Sequence, residues 1–176
     1  MRAGDQTAVA IRPMTEMDIE GFHAALDRVA RESRFLSFLA APPLEVSAAF
    51  VRGGLTAGNA HVVAVDGAEV VGWCDVTPVP RPLLAHGGVL GMGLLAEWQG
   101  KGIGSALIRT AMAAARQRGL ARIELTVSAL NQRAITLYER VGFEREGLKR
   151  DASLIDGVYS DSLLMAHIDR SCRPSM

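Results

Sequence analysis

Between Gly91 and Leu107 the chain reads Gly-Met-Gly-Leu-Leu-Ala-Glu-Trp-Gln-Gly-Lys-Gly-Ile-Gly-Ser-Ala-Leu. An apolar, glycine-rich run suited to a central strand leads into a turn with glycine at every second position, and then into a helical pattern. Glycines at 100, 102 and 104 leave the backbone amides of that turn unobstructed by side chains. The turn opens a helix, and the free N–H groups and partial positive charge of a helix start favour an anion. A pyrophosphate is the natural ligand. The spacing is GxGxG, not the GxGxxG of dinucleotide-binding folds, and the strand before it lies halfway along the chain. Gly104 is followed by Ser105 and Ala106, so the Lys-Ser/Thr ending of a P-loop is missing. Taken alone, such a turn also fits a tight turn with no ligand.

The elements that must position this turn can be read around it. Thr7 to Pro13 alternates Val9 and Ile11 with smaller or polar residues and suits a short strand. Thr15 is a good N-cap with Asp18 in the place of a capping-box acid, and Phe22, Leu26 and Val29 follow at helical spacing. Arg31 to Pro43 is irregular and ends on Pro42-Pro43, after which Leu44 to Leu55 reads as a second helix closed by Gly53, Gly54 and Gly58. Strands over 60–65 and 69–76 flank the hairpin turn Asp66-Gly67. A proline-rich loop spans Thr77 to Pro82, and a central, irregular strand runs from Gly88 to Leu95. A helix from Gly102 to Arg118 is capped by Gly119. Ala121 to Val127 is a buried strand, Asn131 to Val141 a helix closed by Gly142, and 143–154 and 158–168 pair across Asp156-Gly157. Strands alternating with helices imply a mixed sheet with helices on both faces.

Composition bounds the function classes. A chain of 176 residues is about one domain, 1–176, with 1–6 and 170–176 as loose ends. Apolar residues make up 49% and charged residues 22%, an ordinary globular balance. Lys plus Arg and Asp plus Glu both total 19, so neither nucleic acid nor an anionic membrane is indicated as a partner. Cys74 and Cys172 form neither a disulfide framework nor a zinc motif, and Cys74 in its apolar run reads as a buried inert thiol. No metal site is expected. The start of the chain has no apolar signal region and no stretch is long enough to span a bilayer, so a cytoplasmic location is expected.

Gln99-Gly-Lys-Gly-Ile-Gly104 matches the Gln/Arg-x-x-Gly-x-Gly/Ala signature of the GNAT acetyltransferases. Ile11-Arg-Pro-Met-Thr-Glu-Met-Asp18 resembles their first strand and helix start, and Asn131-Gln-Arg-Ala-Ile-Thr-Leu-Tyr-Glu-Arg-Val-Gly-Phe143 their second signature. The last hairpin, Asp156-Gly-Val-Tyr-Ser-Asp161, is similar to the branch that acetylates small amines and amino acids. The resemblance covers roughly residues 8 to 168. It implies the GNAT fold, an α/β architecture with a mixed, mostly antiparallel sheet of about seven strands. It implies acetyl-CoA as co-substrate. Met92, Gly93 and Leu94 would lie on a bulged strand whose backbone holds the pantetheine arm, with the Leu94 amide polarising the thioester carbonyl. Gln99, Gly100, Lys101, Gly102, Ile103 and Gly104 would hold the pyrophosphate. Asn131 would bind the pantetheine or a nearby water, and Tyr138 would protonate the leaving thiolate, as a phenol of ordinary pKa near 10 can.

The amine must lose a proton before it attacks. In the branch that acetylates ribosomal-protein N-termini, a Glu on the fifth strand is the base, and this chain has Thr126 there. Other candidates are Asp75, beside the central strand; His86, just before it; Glu97, in the glycine turn; and Glu124. A chain of waters is an alternative. Phe35, Leu36, Phe38 and Leu39 could line the acceptor site or form a hydrophobic plug, and Tyr159 could face the acceptor or pack on the sheet. Trp73 and Trp98 could line a pocket or serve core and turn packing; His23 reads as a helix-face residue, His61 as the start of a strand, and His167 has no evident partner in the sequence.

Three functions follow. The first is transfer of an acetyl group to the primary amine of a small molecule. Arg31 and Arg34, set against the single acid Glu32, tilt the acceptor toward one with its own negative charge, such as an amino acid. The second is acetylation of a protein N-terminus or lysine. The third is a silent acyl-CoA-binding module, against which Asn131 and Tyr138 both argue. A homodimer through the last hairpin is the expected assembly.

Overall fold

The computed structural model describes residues 9–33 and 35–172, the side chain of Cys172 excepted. The elements are β1 (Ala10–Pro13), α1 (Ile19–Ser33), α2 (Leu44–Ala57), β2 (Ala60–Asp66), β3 (Glu69–Pro78), β4 (Gly87–Leu94), α3 (Ile103–Gln117), β5 (Arg122–Ser128), α4 (Gln132–Arg140), β6 (Glu144–Ile155) and β7 (Val158–Ile168). Thr7, where the first strand was expected to begin, and Arg34 lie outside the described residues. So do residues 1–6 and 173–176 of the expected loose ends; Arg170–Cys172 form a short 3-10 turn.

The strands make one seven-stranded sheet in the order β1-β2-β3-β4-β5-β7-β6. All neighbours are antiparallel except β4 and β5, which run parallel. This is the mixed, mostly antiparallel sheet expected from the sequence.

Local chemistry fixes the ends of the elements. The Thr15 backbone N–H and hydroxyl both donate to Asp18 Oδ2, at 2.8 and 2.9 Å. Arg12 clamps the same carboxylate with two bonds of 2.8 and 2.7 Å, which ties β1 to the start of α1. Pro43 stands at the N-cap of α2, and Gly58 ends that helix in the left-handed region at φ 67°. At the last hairpin Asp156 and Gly157 both have positive φ, 52° and 79°, as a type I′ turn requires.

The helices divide between the two faces. A Cβ on Gly72 of β3 would meet Leu94 of β4 and Leu107 of α3, so even-numbered residues there face α3. On the other face Trp73 of β3 meets Phe22 of α1 edge-on, with ring centroids 5.3 Å apart. Leu107 and Ile108 on α3 are fully buried; each such side chain contributes about 1.5–3 kcal/mol of burial. Gly104 of α3 lies against Leu137, where a Cβ would come within 3.0 Å of Cδ2, so α4 packs beside α3.

Candidate active site

The sheet is open at its centre. β4 and β5 pair only over Gly87–Arg122, Gly88–Ile123 and Val89–Glu124. Beyond Val89, β4 continues five residues to Leu94 with β3 as its partner, and beyond Glu124, β5 continues to Ser128 with β7. The two strands therefore diverge over about 16 Å of β4 at ~3.3 Å per residue. Alternation says which backbone groups face the opening. Leu95 donates to Val71 of β3 and the Gly87 carbonyl accepts from Val79, so odd-numbered residues of β4 bond to β3. The His86 carbonyl accepts from Ala121 and Arg122, so even-numbered residues face β5. Met92 and Leu94 thus turn their N–H and C=O groups into the opening, where β5 has moved away. The Leu94 carbonyl accepts from the Gln99 side-chain amide at 2.8 Å, and the Leu95 N–H of that same peptide donates to Val71 on the β3 side; the Leu94 N–H belongs to the preceding peptide and faces the opening. The bulge expected over Met92 to Leu94 is not there. The β3–β4 register is unbroken from Gly88 to Leu94, and divergence from β5 does what a bulge was expected to do.

At the wide end of the opening stands the glycine turn. Gly100 and Gly102 have φ of 80° and 83°, a region that side chains strain. Gly102 is the N-cap of α3 with no side-chain cap, and Ala106 is the first residue to donate back into the helix, to the Gly102 carbonyl. The amides just before it have no acceptor within the helix. A Cβ at Gly102 would meet nothing within 4 Å, so this end faces open space. Two cations stand at the turn. Lys101 Nζ lies 4.6 Å from the Trp98 ring centroid. Arg133 of α4 brings a guanidinium nitrogen to 3.1 Å from where a Gly100 Cβ would be. Gly104 serves another purpose, the close approach of α3 to α4.

On the α1/α2 face, Asp75 of β3 pairs with Gly91 of β4, and Trp73 pairs with Gly93. Neither glycine has a side chain to keep its neighbour away. The Trp73 ring lies over Gly93, at 2.1 Å from where a Cβ would stand, and Asp75 Oδ1 is 3.2 Å from the corresponding point at Gly91. The carboxylate therefore leans over β4, the strand that borders the opening. Burial pushes the Asp75 carboxyl up from its ordinary 3.8 to about 7, against the opposing pull of a 3.4 Å bond from the Thr77 hydroxyl. A carboxyl that titrates near neutrality is suited to act as a general base.

Tyr138, on α4, is buried on the α3 side of the sheet, its ring 5.8 Å from that of Phe143. Burial raises its phenol above the ordinary value, and the neighbouring Cys74 thiol adds to the effect. Cys74 pairs with Met92 across β3 and β4, so the phenol stands beneath the Met92 stretch of β4. The Cys74 thiol is wholly buried and is itself pushed well above its ordinary pKa by that burial. Asn131 caps α4, its Oδ1 accepting from the Ala134 N–H at 3.1 Å.

The other sequence candidates lie apart from these residues. His86 is exposed at the closed end of the β4–β5 pair. Glu124 belongs to an ion-pair network with Arg122, which also bonds Glu146. Thr126 is exposed on β5 beyond the point of divergence. Glu97 accepts from Arg28 at 2.8 Å; its own backbone N–H and that guanidinium hold it below the ordinary carboxyl range. Phe35, Phe38 and Leu39 are exposed, while Leu36 packs on the core. Tyr159 is 62% exposed in a hairpin that projects past the end of β5. Arg31 bonds its own helix neighbour Asp27 at 2.7 Å, so the cation expected to hold an acceptor carboxylate is already engaged. The sequence reading missed Arg133, beside the glycine turn, and gave no role to His61, which is buried on the strand next to Asp75 and opposite it in the register. Arg133 lay inside the quoted second motif, and its place two residues after a helix-capping Asn was the available signal.

Comparison with known proteins gives the same picture. The model of the acetyltransferase (GNAT) family matches residues 24–143. The L-amino acid N-acetyltransferase AaaT of Escherichia coli (strain K12) is 34% identical over 108 residues, covering 61% of this chain and 66% of that protein. The chain spans about two fifths to two thirds of the length of this and the other curated relatives it matches. The crystal structure of an acetyltransferase of the GNAT family from Streptococcus pneumoniae superposes with a TM-score of 0.84 at 27% identity, over 92% of this chain and 99% of that one. The fold is shared too with yncA from Salmonella typhimurium, solved with its cofactor acetyl-CoA, at TM-score 0.87 and 16% identity over 96% and 98% of the two chains. The split sheet, the uncapped glycine turn and a family match over most of the chain lead to one conclusion: this protein belongs to the acetyltransferase (GNAT) family.

Proposed function

We propose that the protein transfers the acetyl group of acetyl-CoA to the primary amine of a small molecule, by direct attack. The observation that carries this reading is the opening between β4 and β5, which runs from the Leu94 peptide to the uncapped start of α3. The residues present fit the co-substrate. Amides at Gly100 to Gly104, Lys101 and Arg133 form an electropositive cradle for a diphosphate, and Gly102 leaves it open. The backbone groups of Met92 and the N–H of Leu94 offer an extended amide-bearing arm the pairing that β5 no longer supplies.

Bound acetyl-CoA supplies an activated acyl group, which the amine takes with release of the CoA thiol. The Leu94 N–H, turned into the opening by the β3–β4 register, is the donor for the carbonyl oxygen as it gains charge. Asp75 accepts the proton that the amine loses. Tyr138, kept protonated by burial, holds the proton that the sulfur requires. Asn131 fixes the start of α4 and with it the height of Tyr138. An amino acid is the first acceptor to test, on the strength of the E. coli relative's name. With Arg31 engaged elsewhere, the charge argument for an acidic acceptor no longer supports that choice.

The test is thiol release from acetyl-CoA against a panel of amino acids, polyamines and short peptides. Turnover of a free amino acid or another small amine is expected. Turnover of peptides alone would move the acceptor to protein N-termini, and no thiol release with any amine would overturn the enzymatic reading.

A further inference from the structure

His61 is a buried polar side chain that the reading above leaves unused. It is 4% exposed, and neither ring nitrogen has a hydrogen-bond partner among the described residues. Buried polar groups in folded proteins are nearly always satisfied, so an imidazole with two idle nitrogens calls for an explanation. Its surroundings confine it. The ring packs against Phe50 of α2, with centroids 5.2 Å apart, and fills the space that a Cβ on Gly54 would take, at 2.5 Å. In the β2–β3 register, the residue opposite His61 is Asp75.

The type of that pair matters. The His61 carbonyl accepts from Met14, on the β1 side, so the His61 backbone faces away from β3. Asp75 shares the parity of Val71 and Val79, whose backbone groups bond β4, so it faces away from β2. The two are therefore a non-hydrogen-bonded cross-strand pair, the class with the closer side chains, with Cβ atoms about 4.5–5.5 Å apart. At that separation a ring nitrogen comes within reach of the carboxylate once the side chain swings off Gly54. When Asp75 is neutral it asks for no donor there. When ionised, its described donor is the Thr77 hydroxyl at a long 3.4 Å.

We propose that His61 is a positioning residue for the proton-accepting carboxylate: as Asp75 ionises, the imidazole turns across the β2–β3 pair and donates a ring N–H to it, holding the anion over Gly91. The inference rests on Asp75 being the base. Of the other ionisable groups on the elements around this face, Arg12 of β1 bonds Asp18, Arg52 of α2 bonds Glu16, and Glu20 and Glu45 are exposed. The His23 ring of α1 meets the Ser47 hydroxyl of α2 at 3.1 Å, Gly91 of β4 brings none, and Cys74 of β3 faces the opposite side of the sheet.

The experiment measures kcat/KM against pH for the wild type, His61→Phe, His61→Gln and Asp75→Asn. Loss of the N–H donor in His61→Phe should move the acid limb upward by about one pH unit, which is roughly tenfold in rate at pH 6.5 and is regained at high pH. His61→Gln, which restores an N–H, should move the limb back. An unmoved limb in His61→Phe, with the limb lost in Asp75→Asn, overturns this proposal and spares the base assignment. An acid limb that persists in Asp75→Asn overturns the base assignment itself. A measurement that leaves His61 in place guards against a variant that does not fold: ring 15N shifts of His61 should follow the Asp75 titration in the wild type and lose that step in Asp75→Asn. Shifts identical in the two proteins would also overturn the proposal.

Discussion

Replacing Asp75 with Asn separates what the carboxylate does for chemistry from what it costs the fold. Folding holds its proton to about pH 7, against an ordinary 3.8 in the unfolded chain. The sign follows from that order. A carboxyl raised on folding favours the folded state while it is protonated there, and the advantage is lost as pH climbs from 3.8 toward 7. Each pH unit in that window is worth ~1.36 kcal/mol, so the full cost above pH 7 is at most about 4 kcal/mol. Asn keeps the shape and carries no charge. Relative to the wild type, Asp75→Asn should therefore gain roughly 2–3 kcal/mol between pH 5 and pH 8, the two pH units below the folded-state midpoint. Urea unfolding midpoints at pH 5, 6.5 and 8 read this directly. Over the same range, turnover by the variant should fall by about 10²-fold or more, the usual contribution of a positioned base. A stability gap that stays constant with pH would refute the claim that burial controls this carboxyl.

Tyr138→Phe should lower kcat by about 10²-fold while leaving the affinity for acetyl-CoA nearly unchanged, as separate binding and turnover measurements would show. Gly93→Ala puts a methyl group where the Trp73 ring already lies, 2.1 Å away, and should cost about 1–3 kcal/mol or more in a denaturation midpoint. Asp18→Ala removes a carboxylate that the Arg12 guanidinium holds down at about 2, against 3.8 when unfolded. It should cost roughly 2 kcal/mol at pH 7, an effect that fades as pH falls from about 4 to about 2 and that unfolding curves at pH 7 and pH 3 would separate.

The linear order of the fold was legible because glycines, prolines and turn pairs punctuate it. Asp66-Gly67, Asp156-Gly157, Pro42-Pro43 and Gly119 stand between elements where the sequence places them. The glycine turn was legible as an anion site for the same local reason. What the sequence did not show depends on neighbours far away in the chain. Nothing in Gly88 to Leu94 says that its parallel partner leaves after Val89, because that is a property of two strands and not of one. Gly91 and Gly93 read as irregularity, yet each makes room for a side chain of β3. Asp75 was one acid among several until the packing around it was known. Asn131 read as a ligand-binding residue, and nothing in its sequence showed that its side-chain carbonyl also caps the first turn of α4. Glu97 and Arg31 read as available charges, and each has a partner, one distant in sequence and one a helical turn away.

Titration calorimetry with CoA, and in parallel with pantetheine lacking the diphosphate, tests most directly the claim that the opening and the α3 start form one binding groove. CoA should bind at one site per chain with an affinity that weakens as salt is added, and pantetheine should bind far more weakly. Equal affinities would contradict the role given to the residues from Gly100 to Gly104, and no heat with CoA would contradict the account as a whole.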